Sequence, residues 1–337
     1  MKLSDFDYEL PEDQIAQRPV RPRSRSRLFF LGKDQRKHLT FNEIVSLLRE
    51  GDVMVKNKSK VVPARLEGRK DTGGRIELLF HRSLEEGWEC LIKGSNIQEG
   101  RSIIIHGEEF EIVENRHEGL FVIGIDDENV VSLMEHHGDM PTPPYIKEDL
   151  EVDDEYQTVY AENEGSVAAP TAGLHFTEEL LNKIEEKGVE VHDITLHVGP
   201  ATFLPVNEEE VEDHEMGDEY FEVGGETAEA ITEANEDGRR VIFVGTTTVR
   251  AVESASEDGV VEPNSGWTDL FIYPEYEFQS GMDLLLTNFH LPRSTLLMLV
   301  SAFTGKERIL SAYREAVERG YRFYSFGDAM LLEGYDG

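Results

Sequence analysis

The sequence predicts an α/β protein in which a larger α/β domain with a mixed sheet carries an inserted small all-β barrel domain. Residues 61–145 consist of short β-prone runs separated by turns, whereas strands and helices alternate from residue 146 onward. A chain of 337 residues with 39% hydrophobic residues is long enough for two domains and a sizeable core. We therefore expect residues 1–60 and 146–337 to form a discontinuous α/β domain around a barrel of residues 61–145.

The N-terminal part should contain one helix and one strand of the larger domain, followed by the barrel. The helix is predicted over residues 41–49 and the strand over residues 52–57. Short β-prone runs then recur at intervals of roughly 8–12 residues, which is typical of a small sandwich or barrel. Residues 140–145 contain three prolines and should form a stiff exit from the barrel. The β-prone runs lie at residues 75–80, 88–93, 102–106, 109–113 and 120–124.

The rest of the chain alternates between helices and strands. The first of these helices has Thr177 as its N-cap, acidic residues in its first turn and Gly188 at its end. This alternation favours a sheet with helices on its faces. The helices are predicted at residues 177–188, 226–236, 247–256 and 306–319, and the strands at residues 189–198, 240–245 and 284–287.

Charge, cysteine content and hydrophobic run length restrict the class of protein. Acidic residues outnumber basic ones 68 to 33 and are spread along the chain, which predicts adaptation to a salty cytoplasm. High salt screens long-range repulsion, so the net charge of −35 does not exclude a nucleic-acid partner. The single cysteine, Cys90, fits a reducing compartment. Because no apolar run reaches the roughly 20 residues that span a bilayer and no signal peptide is evident, we expect a cytoplasmic protein without membrane contact.

Two stretches near predicted helix N-termini could bind an anionic or polar ligand. Residues 167–177 place small residues and His175 just before a helix, where free N–H groups and a partial positive charge attract anions. Residues 244–253 place three threonines and Arg250 after a buried strand, which suits a carboxylate. The competing interpretations are an ordinary loop with a structural histidine, and a surface ion pair between Arg250 and Glu253.

Two further stretches follow predicted strands. Residues 286–296 bring Asn288 and His290 into one turn, at the carboxyl end of a strand where open α/β sheets bind ligands. Residues 195–203 place His197 after another strand. From spacing alone, a histidine that caps or packs is an equally good interpretation of both.

Other catalytic signatures are missing from the sequence. It has no GxGxxG after the first strand, no GxxxxGK[ST] and no GxSxG. The two adjacent histidines at residues 136–137 lack neighbours spaced as in a zinc motif. A single cysteine cannot build a cysteine-rich zinc site. We expect no metal.

Long runs in a fixed order carry a family resemblance from end to end. The run Val-Ala-Ala-Pro-Thr-Ala-Gly-Leu-His-Phe-Thr occupies residues 167–177, and Tyr-Arg-Phe-Tyr-Ser-Phe-Gly-Asp-Ala-Met occupies residues 321–330. Further matches lie at residues 10–12, 15–17, 23–28, 63–65, 156–161, 287–292 and 294–303. In this order they resemble the S-adenosylmethionine:tRNA ribosyltransferase-isomerases of queuosine biosynthesis. The resemblance implies a larger α/β domain with a small β-barrel domain.

The resemblance implies an unusual use of S-adenosylmethionine as co-substrate. The ribosyl unit, not the methyl group, would be transferred to 7-aminomethyl-7-deazaguanine at the wobble position of tRNA. Adenine and methionine would leave, and isomerisation would give epoxyqueuosine-tRNA. The sulfonium acidifies the adjacent 5′ C–H, so the scheme needs a base there and an acid for adenine, but no metal.

The resemblance also implies site residues. His175 and His290 are the candidates for proton transfer, and Arg250 for binding the carboxylate of S-adenosylmethionine or developing negative charge. The residues expected to line the co-substrate are Thr171, Ala172, Gly173, Leu174, Phe176, Gly245, Thr246, Thr247, Asn288 and Phe289.

A tRNA partner would explain the basic stretch at residues 18–27, where five arginines fall within ten residues. Phosphate contacts come mainly from lysine and arginine. The alternative is that some of these cations pair with nearby acids. The residues expected to face the anticodon arm, with the protein as a monomer, are Arg23, Arg25, Arg27, Lys56, Lys58, Lys60 and Arg65.

Five residues depart from the family motifs, namely Lys58, Lys60, Pro200, Gly217 and Glu275. The corresponding family residues are aspartate, arginine, leucine, histidine and glycine. Salt adaptation does not account for replacing aspartate by lysine or histidine by glycine. Two alternatives therefore stay open: a paralogue that modifies a different 7-deazapurine or nucleic-acid acceptor, and a non-catalytic RNA-binding relative.

Overall fold

The structure is a computed structural model that describes residues 1–116, 119–148, 150–204, 206–257 and 259–335. The strands within these ranges are β1 (Arg27–Leu31), β2 (Arg36–Thr40), β3 (Val53–Asn57), β4 (Ser59–Val61), β5 (Arg65–Lys70), β6 (Arg75–Leu84), β7 (Gly87–Lys93), β8 (Ser102–Ile105), β9 (Glu108–Asn115), β10 (Leu120–Ile123), β11 (Asn163–Ser166), β12 (Glu190–His197), β13 (Glu219–Val223), β14 (Val241–Val244), β15 (Ser256–Glu257), β16 (Val260–Val261), β17 (Asn264–Thr268), β18 (Leu284–Asn288) and β19 (Ala329–Glu333). The α-helices are α1 (Asp127–His137), α2 (Glu178–Glu186), α3 (Gly225–Asp237), α4 (Thr246–Glu253), α5 (Thr295–Thr304) and α6 (Lys306–Glu318). Short 3₁₀ helices lie at Leu3–Phe6, Glu12–Gln14, Arg23–Arg25, Phe41–Ser46, Asp153–Tyr156, Thr171–His175, Pro200–Phe203 and Val211–Asp213.

Nine strands form one mixed sheet, which confirms the predicted α/β class. The order is β17-β13-β12-β3-β14-β18-β19-β1-β2, with parallel pairing from β12 through β3 and β14 to β18. Both faces of the central strands are buried. In β3, Val53 and Val55 pack into one hydrophobic cluster with α3 to α6, whereas Met54 packs into another with α2. Because successive strand residues point to opposite faces, the sheet is the middle layer between two layers of helices.

Six strands close into a barrel in the order β10-β7-β6-β5-β8-β9, which confirms the inserted barrel. The barrel strands run from residue 65 to residue 123. The limits expected at residues 60/61 and 145/146 stay a prediction. One helix, α1, was not predicted in this segment. Its N-cap, Asp126, accepts the N–H of Asn129, and its apolar side chains at i, i+3 and i+4 pack on the barrel core.

Several elements differ from the sequence prediction. The segment expected to be a helix over residues 41–49 is the 3₁₀ helix Phe41–Ser46, closed by a capping box between Thr40 and Glu43. Helix α5 was missed because it is apolar on nearly every side and therefore lacks the amphipathic period of a surface helix. The strands missed in the larger sheet are β1, β2, β13, β17 and β19.

The predicted site segments meet at one edge of the sheet. Strands β14 and β18 are parallel, so their carboxyl ends lie side by side and lead into Gly245 and Asn288. The 3₁₀ turn Thr171–His175 contacts the end of β18. A Cβ placed on Gly245 would lie 3.6 Å from the Cβ of Ala172, so this turn also borders the start of α4. This is the edge where open α/β sheets bind ligands.

Candidate active site

Four buried or half-buried polar side chains form a continuous hydrogen-bonded chain at this edge. The hydroxyl of Thr171 donates to Asn288 Oδ1 at 2.9 Å, and Asn288 Nδ2 lies 3.1 Å from His175 Nε2. On the other side of the ring, His175 Nδ1 lies 2.8 Å from the hydroxyl oxygen of Ser26. Ser26 belongs to the basic N-terminal stretch and was not predicted as a site residue. We name these four residues the His175 chain.

The burial of His175 fixes the charge of its ring. Burial lowers the pKa of His175 to about 3, with smaller contributions from the nearby charges of Arg23 and Arg322, so the imidazole is neutral at pH 7. With the amide oriented as described, Asn288 donates to Nε2, and the ring proton on Nδ1 points to Ser26. Rotating the amide by 180° would reverse the hydrogen bonds together. The His175 chain can therefore hold a proton at either end of the ring.

Backbone fit explains why the turn has its sequence. A Cβ on Gly173 would overlap the hydroxyl of Tyr160, so only glycine fits there. Gly245 has φ = +91°, a left-handed conformation that favours glycine at the start of α4. The turn thus packs closely against both Tyr160 and the α4 N-terminus.

Three hydroxyl groups around the same turn are shielded from solvent and, within the described ranges, have no hydrogen-bond partner. They belong to Thr158, Tyr160 and Thr247. Thr158 and Tyr160 border Gly173, and Thr247 borders Gly245. Shielded hydroxyls without partners cost free energy, so such a group is a natural partner for a polar ligand. Thr158 and Tyr160 were missed as site residues, although they lie within a run that carries the family resemblance.

A small cleft opens beside His175. Its volume is only about 10 Å³, room for about one water-sized sphere and far below the roughly 300–1,000 Å³ of typical ligand pockets. A larger groove of about 460 Å³ lies on the barrel, but its lining contains no predicted site residue and no buried acid–base group. The cleft is lined by Pro19, Val20, Arg23, Ser26, Leu174, His175, Ser325, Phe326 and Gly327.

His290 occupies the opposite face of the sheet from His175. Its Nε2 lies 2.9 Å from the hydroxyl of Thr287, its N–H donates to Tyr313, and its carbonyl accepts from Tyr8. Burial lowers the pKa of His290 to about 3. Because Thr287 and Asn288 are consecutive in β18, their side chains point to opposite faces. The structure therefore does not join His290 to the His175 chain.

Arg250 is directed into the protein and away from the His175 chain. Its guanidinium forms a buried ion pair with Glu219 and donates to the carbonyls of Leu270, at 2.9 Å, and Thr268, at 3.3 Å. The alternative pair with Glu253 does not form either, because that carboxylate accepts hydrogen bonds from residues 276–280. This geometry gives no support to a contact between Arg250 and a co-substrate carboxylate.

The predicted lining residues differ in how close they lie to the 3₁₀ turn and the cleft. Thr171, Ala172, Gly173, Gly245 and Asn288 meet around the turn, as described above. Thr246 is buried at the first position of α4, and Leu174 lines the cleft. Phe176 and Phe289 are fully buried in the two hydrophobic clusters, and their contact with the co-substrate stays a prediction.

Most of the predicted RNA-binding cations are already engaged. Lys56 is buried against Asp193 and the ring of Tyr160, so its ammonium group is not presented at the surface. Lys58 and Lys60 pair with Glu162 and Glu164, at 2.8 and 2.9 Å. For these lysines, the alternative of pairing with nearby acids is the one that the structure adopts.

Most of the N-terminal arginines are also engaged by nearby residues. Arg23 donates to the carbonyls of Asp154 and Gln157, and Arg27 donates to the carbonyl of Arg319 and stacks over Tyr321. Arg18 and Arg21 form ion pairs with glutamates 148, 151 and 155. Arg25 and Arg65 differ, because neither guanidinium has a hydrogen-bond or ion-pair partner among the residues that the structure describes, and Arg25 is exposed.

The structure shows the local surroundings of each residue that departs from the family motifs. The Lys58 and Lys60 pairs are formed because β4 and β11 are parallel neighbours. A Cβ on Gly217 would lie only 2.6 Å from the Cβ of Ala201, so a larger residue there would force a shift. Glu275 has φ = +88°, a conformation that glycine adopts more easily. Pro200 begins a 3₁₀ helix, where its fixed φ is favourable.

Comparison with known proteins places these features in one family. Residues 3–332 match the family described as queuosine biosynthesis protein. An S-adenosylmethionine:tRNA ribosyltransferase-isomerase of Thermotoga petrophila is 51% identical over 337 residues, covering 98% of this chain and 100% of the relative. The protein of the same name from Natranaerobius thermophilus is 48% identical over 343 residues, covering 99% and 100%.

A solved structure has the same overall fold. The S-adenosylmethionine tRNA ribosyltransferase of Thermotoga maritima superposes with a TM-score of 0.57 at 39% identity, covering 98% of this chain and 100% of that one. The match over nearly the whole chain and the high identity of the relatives agree with the resemblance carried by the motifs. This chain therefore belongs to the queuosine biosynthesis protein family.

Proposed function

We propose that this protein transfers and isomerises the ribosyl moiety of S-adenosylmethionine onto 7-aminomethyl-7-deazaguanine at the wobble position of tRNA. The products are epoxyqueuosine-tRNA, adenine and methionine. The relatives of the same family carry the name of this activity. The observation that carries the proposal is the convergence of the His175 chain and the three unpartnered hydroxyls on one turn at the sheet edge.

His175 is the proton-transfer group in this proposal. The reaction needs a base near the acidified 5′ C–H and a donor for departing adenine. A neutral imidazole can accept the 5′ C–H proton, and the imidazolium formed in this step can then donate that proton to departing adenine; Ser26 and Asn288 set which nitrogen carries the resting proton. His290 supports the turn after β18 from the other face and does not take part in proton transfer.

S-adenosylmethionine binds around the 3₁₀ turn in this proposal. Thr171, Gly173, Gly245 and Asn288 border the ligand, and Thr247 supplies a free hydroxyl at the α4 N-terminus. Hydroxyl groups of this kind can bind a ribose or the amino-acid part of the ligand. The cleft beside His175 is too small for the whole molecule, so in this proposal binding requires the lining of the cleft to open.

The proposal also covers the compartment, the oligomeric state and the metal content of the protein. We propose a cytoplasmic, salt-adapted monomer that uses no metal. The expectation about metal accords with the chemistry and is a prediction. Within the described ranges, no group of three or more histidine, cysteine, aspartate or glutamate side chains could hold a metal ion. Among the helices described, none is long and apolar enough to cross a membrane.

The anticodon arm is proposed to lie against Arg25 and Arg65, which are the predicted cations left without a protein partner in the described part of the chain. We expect Arg25→Glu to weaken tRNA binding while leaving the fold unchanged, because a phosphate contact is replaced by repulsion. Filter binding at several salt concentrations measures the effect. Lys60→Glu at a paired position is the matched control, and an equal loss there would contradict a specific role for Arg25.

The decisive experiment is adenine release from S-adenosylmethionine in molar KCl. Release that depends on tRNA carrying 7-aminomethyl-7-deazaguanine at the wobble position supports the proposal. Release with a free 7-deazapurine but not with this tRNA would indicate a different acceptor. RNA binding without any adenine release would indicate a non-catalytic binding protein. The ion pairs formed by Lys58 and Lys60 account for those two departures without a change of acceptor.

A further inference from the structure

A row of aromatic side chains crosses the outer strands of the large sheet, away from the His175 chain. His197 on β12 pairs in register with Tyr220 on β13, and Tyr220 pairs with Trp267 on the edge strand β17. The rings of His197 and Tyr220 stack with centroids 5.7 Å apart, and those of Tyr220 and Trp267 meet edge to face at 5.9 Å. We name these three residues the aromatic row.

The aromatic row lies on the face of the sheet turned away from the main core. Leu196 and Phe221, their neighbours in sequence, pack into the core cluster formed with α3 to α6. Alternation along a strand therefore sends the aromatic row to the other face. Trp267 is 50% exposed, and its indole is the largest side chain among the exposed hydrophobic residues of the described ranges.

The barrel holds Trp267 rigidly from one side. The guanidinium of Arg82, on β6, lies 4.6 Å from the centre of the indole ring, and His81 meets the ring edge to face at 6.3 Å. Arg82 is fixed in turn by the buried carboxylate of Glu89, with 3.0 Å between Nε and Oε1. The indole is thus held by charged and aromatic neighbours while half of its surface stays open to solvent.

We propose that the aromatic row is a stacking platform for an unpaired base of the RNA substrate, with Trp267 as the contacting ring. Proteins bind single-stranded nucleotides by stacking bases on aromatic side chains and on guanidinium planes; the row supplies the aromatic rings, and the guanidinium of Arg82 lies beside them. Stacking needs little positive charge, which suits a chain of net charge −35 whose cations are largely paired. The proposal rests on the proposed function, because tRNA is the source of the unpaired base.

The two tryptophans of the chain allow a direct test by fluorescence. In the Trp88→Phe variant, Trp267 is the sole indole, and in Trp267→Phe the sole indole is Trp88, which donates to Asp127 within the barrel domain. Each variant is titrated with an anticodon stem–loop RNA, a fully paired duplex RNA and S-adenosylmethionine. We expect the stem–loop to quench Trp267 but not Trp88, and the duplex and S-adenosylmethionine to leave Trp267 unchanged.

Binding measurements give an independent readout. Trp267→Ala should weaken stem–loop binding by roughly 5- to 100-fold, which is the range of one base stack, and Trp267→Phe by less. Because stacking is not a phosphate contact, the loss for Trp267→Ala should be similar at low and molar salt, unlike the loss for Arg25→Glu. An unchanged thermal midpoint confirms that the variants are folded.

The outcomes separate this proposal from the proposed function. Quenching of Trp267 by S-adenosylmethionine alone, or by duplex RNA as strongly as by the stem–loop, overturns the platform. Full stem–loop affinity in Trp267→Ala also overturns the platform. If tRNA-dependent adenine release persists in that variant, the proposed function nevertheless stands. Conversely, stem–loop quenching in a protein that releases no adenine supports the platform and refutes the proposed catalytic activity.

Discussion

His175 illustrates how a single side chain obtains its chemistry from its neighbours. Its ring is buried, lies 5.0 Å from the ring of Phe41 and is bonded through both nitrogens, so the protein fixes its orientation and keeps it neutral. A histidine that is fixed in this way loses little free energy on reaching a reactive geometry. Ser26 matters as much as His175, because its buried hydroxyl bonds the ring Nδ1 at the lining of the cleft.

Removing the Ser26 hydroxyl should affect both stability and activity. Ser26→Ala leaves the ring Nδ1 without its partner, and we expect the free energy of unfolding to fall by about 1–3 kcal/mol. We expect adenine release to slow by up to roughly 100-fold, since proton transfer through this ring is impaired. Denaturant unfolding and steady-state kinetics measure the two effects. Ser24→Ala, two residues earlier, is the control, and wild-type turnover in Ser26→Ala would contradict the assignment.

The buried histidines predict a pH dependence of stability. Burial depresses the pKa of both His175 and His290 from an ordinary 6.5 to about 3. Between these values the unfolded chain binds protons that the folded chain does not, so stability is full above pH 6.5 and falls as the pH decreases. The expected slope is up to about 1.4 kcal/mol per pH unit for each histidine.

Urea unfolding at several values between pH 5 and 7 measures this slope, in a window above the ordinary pKa of carboxylates. His290→Gln should reduce this slope, and the part due to His175 and to His197, whose pKa burial also lowers, should remain. His136→Gln, at an exposed position of α1, should leave it unchanged. A slope that is equal in all three proteins would show that His290 does not contribute to it.

At the level of elements, helix α4 is held by its middle and not only by its N-terminus. Arg250 ties α4 to Glu219 at the start of β13 and to the carbonyls of residues 268 and 270. Glu219 also accepts the N–H of Gly199. Arg250 therefore sets the position of the α4 N-terminus, where Thr247 borders the proposed ligand site, without touching that site itself.

A double variant separates a positioning role for Arg250 from ligand binding. Arg250→Met alone should lower the free energy of unfolding by about 3–5 kcal/mol, because Glu219 is left as a buried unpaired charge. Arg250→Met combined with Glu219→Met should restore most of that loss. If Arg250 only positions α4, the folded double variant keeps its KM for S-adenosylmethionine. A stable double variant with a greatly increased KM would instead assign Arg250 to the co-substrate.

On the scale of the whole molecule, acidic charge dominates. The net charge of −35 destabilises the compact state through self-repulsion, and salt relieves it as the Debye length falls from about 10 Å at 0.1 M to about 3 Å at 1 M. The arginines of the basic N-terminal stretch do not escape this surplus of acid. Arg18 and Arg21 pair with glutamates, Arg23 and Arg27 donate hydrogen bonds to backbone carbonyls, and Arg25 is the exposed exception.

We expect the thermal midpoint to rise as KCl increases from 0.1 M to above 1 M, since screening weakens the repulsion. Differential scanning calorimetry measures the midpoint. Sucrose at matched osmolality is the control, because it stabilises by exclusion without screening charge. A midpoint that rises equally in sucrose and KCl, or that does not rise in KCl, would contradict an electrostatic origin.

The sequence by itself determined the class of fold, the inserted barrel, the Thr177 cap of α2 and the segments that meet at the sheet edge. These depend on local spacing: period-two runs, capping residues and glycines near strand ends. The family motifs also singled out His175 and Asn288. Only the tertiary structure joined His175 to Ser26, 149 residues away, and to Asn288, 113 residues away.

Tertiary structure likewise decided which polar groups are engaged. The sequence offered Arg250 either a co-substrate carboxylate or Glu253, yet its partner lies on β13. Lys56, Lys58 and Lys60 meet acids brought near by β11 and β12. Local spacing cannot encode such pairs, because they arise from strand order and register in a sheet assembled from distant segments. The sequence therefore names the chemistry of the candidate site, and the packing of the whole sheet selects the side chains that remain available for it.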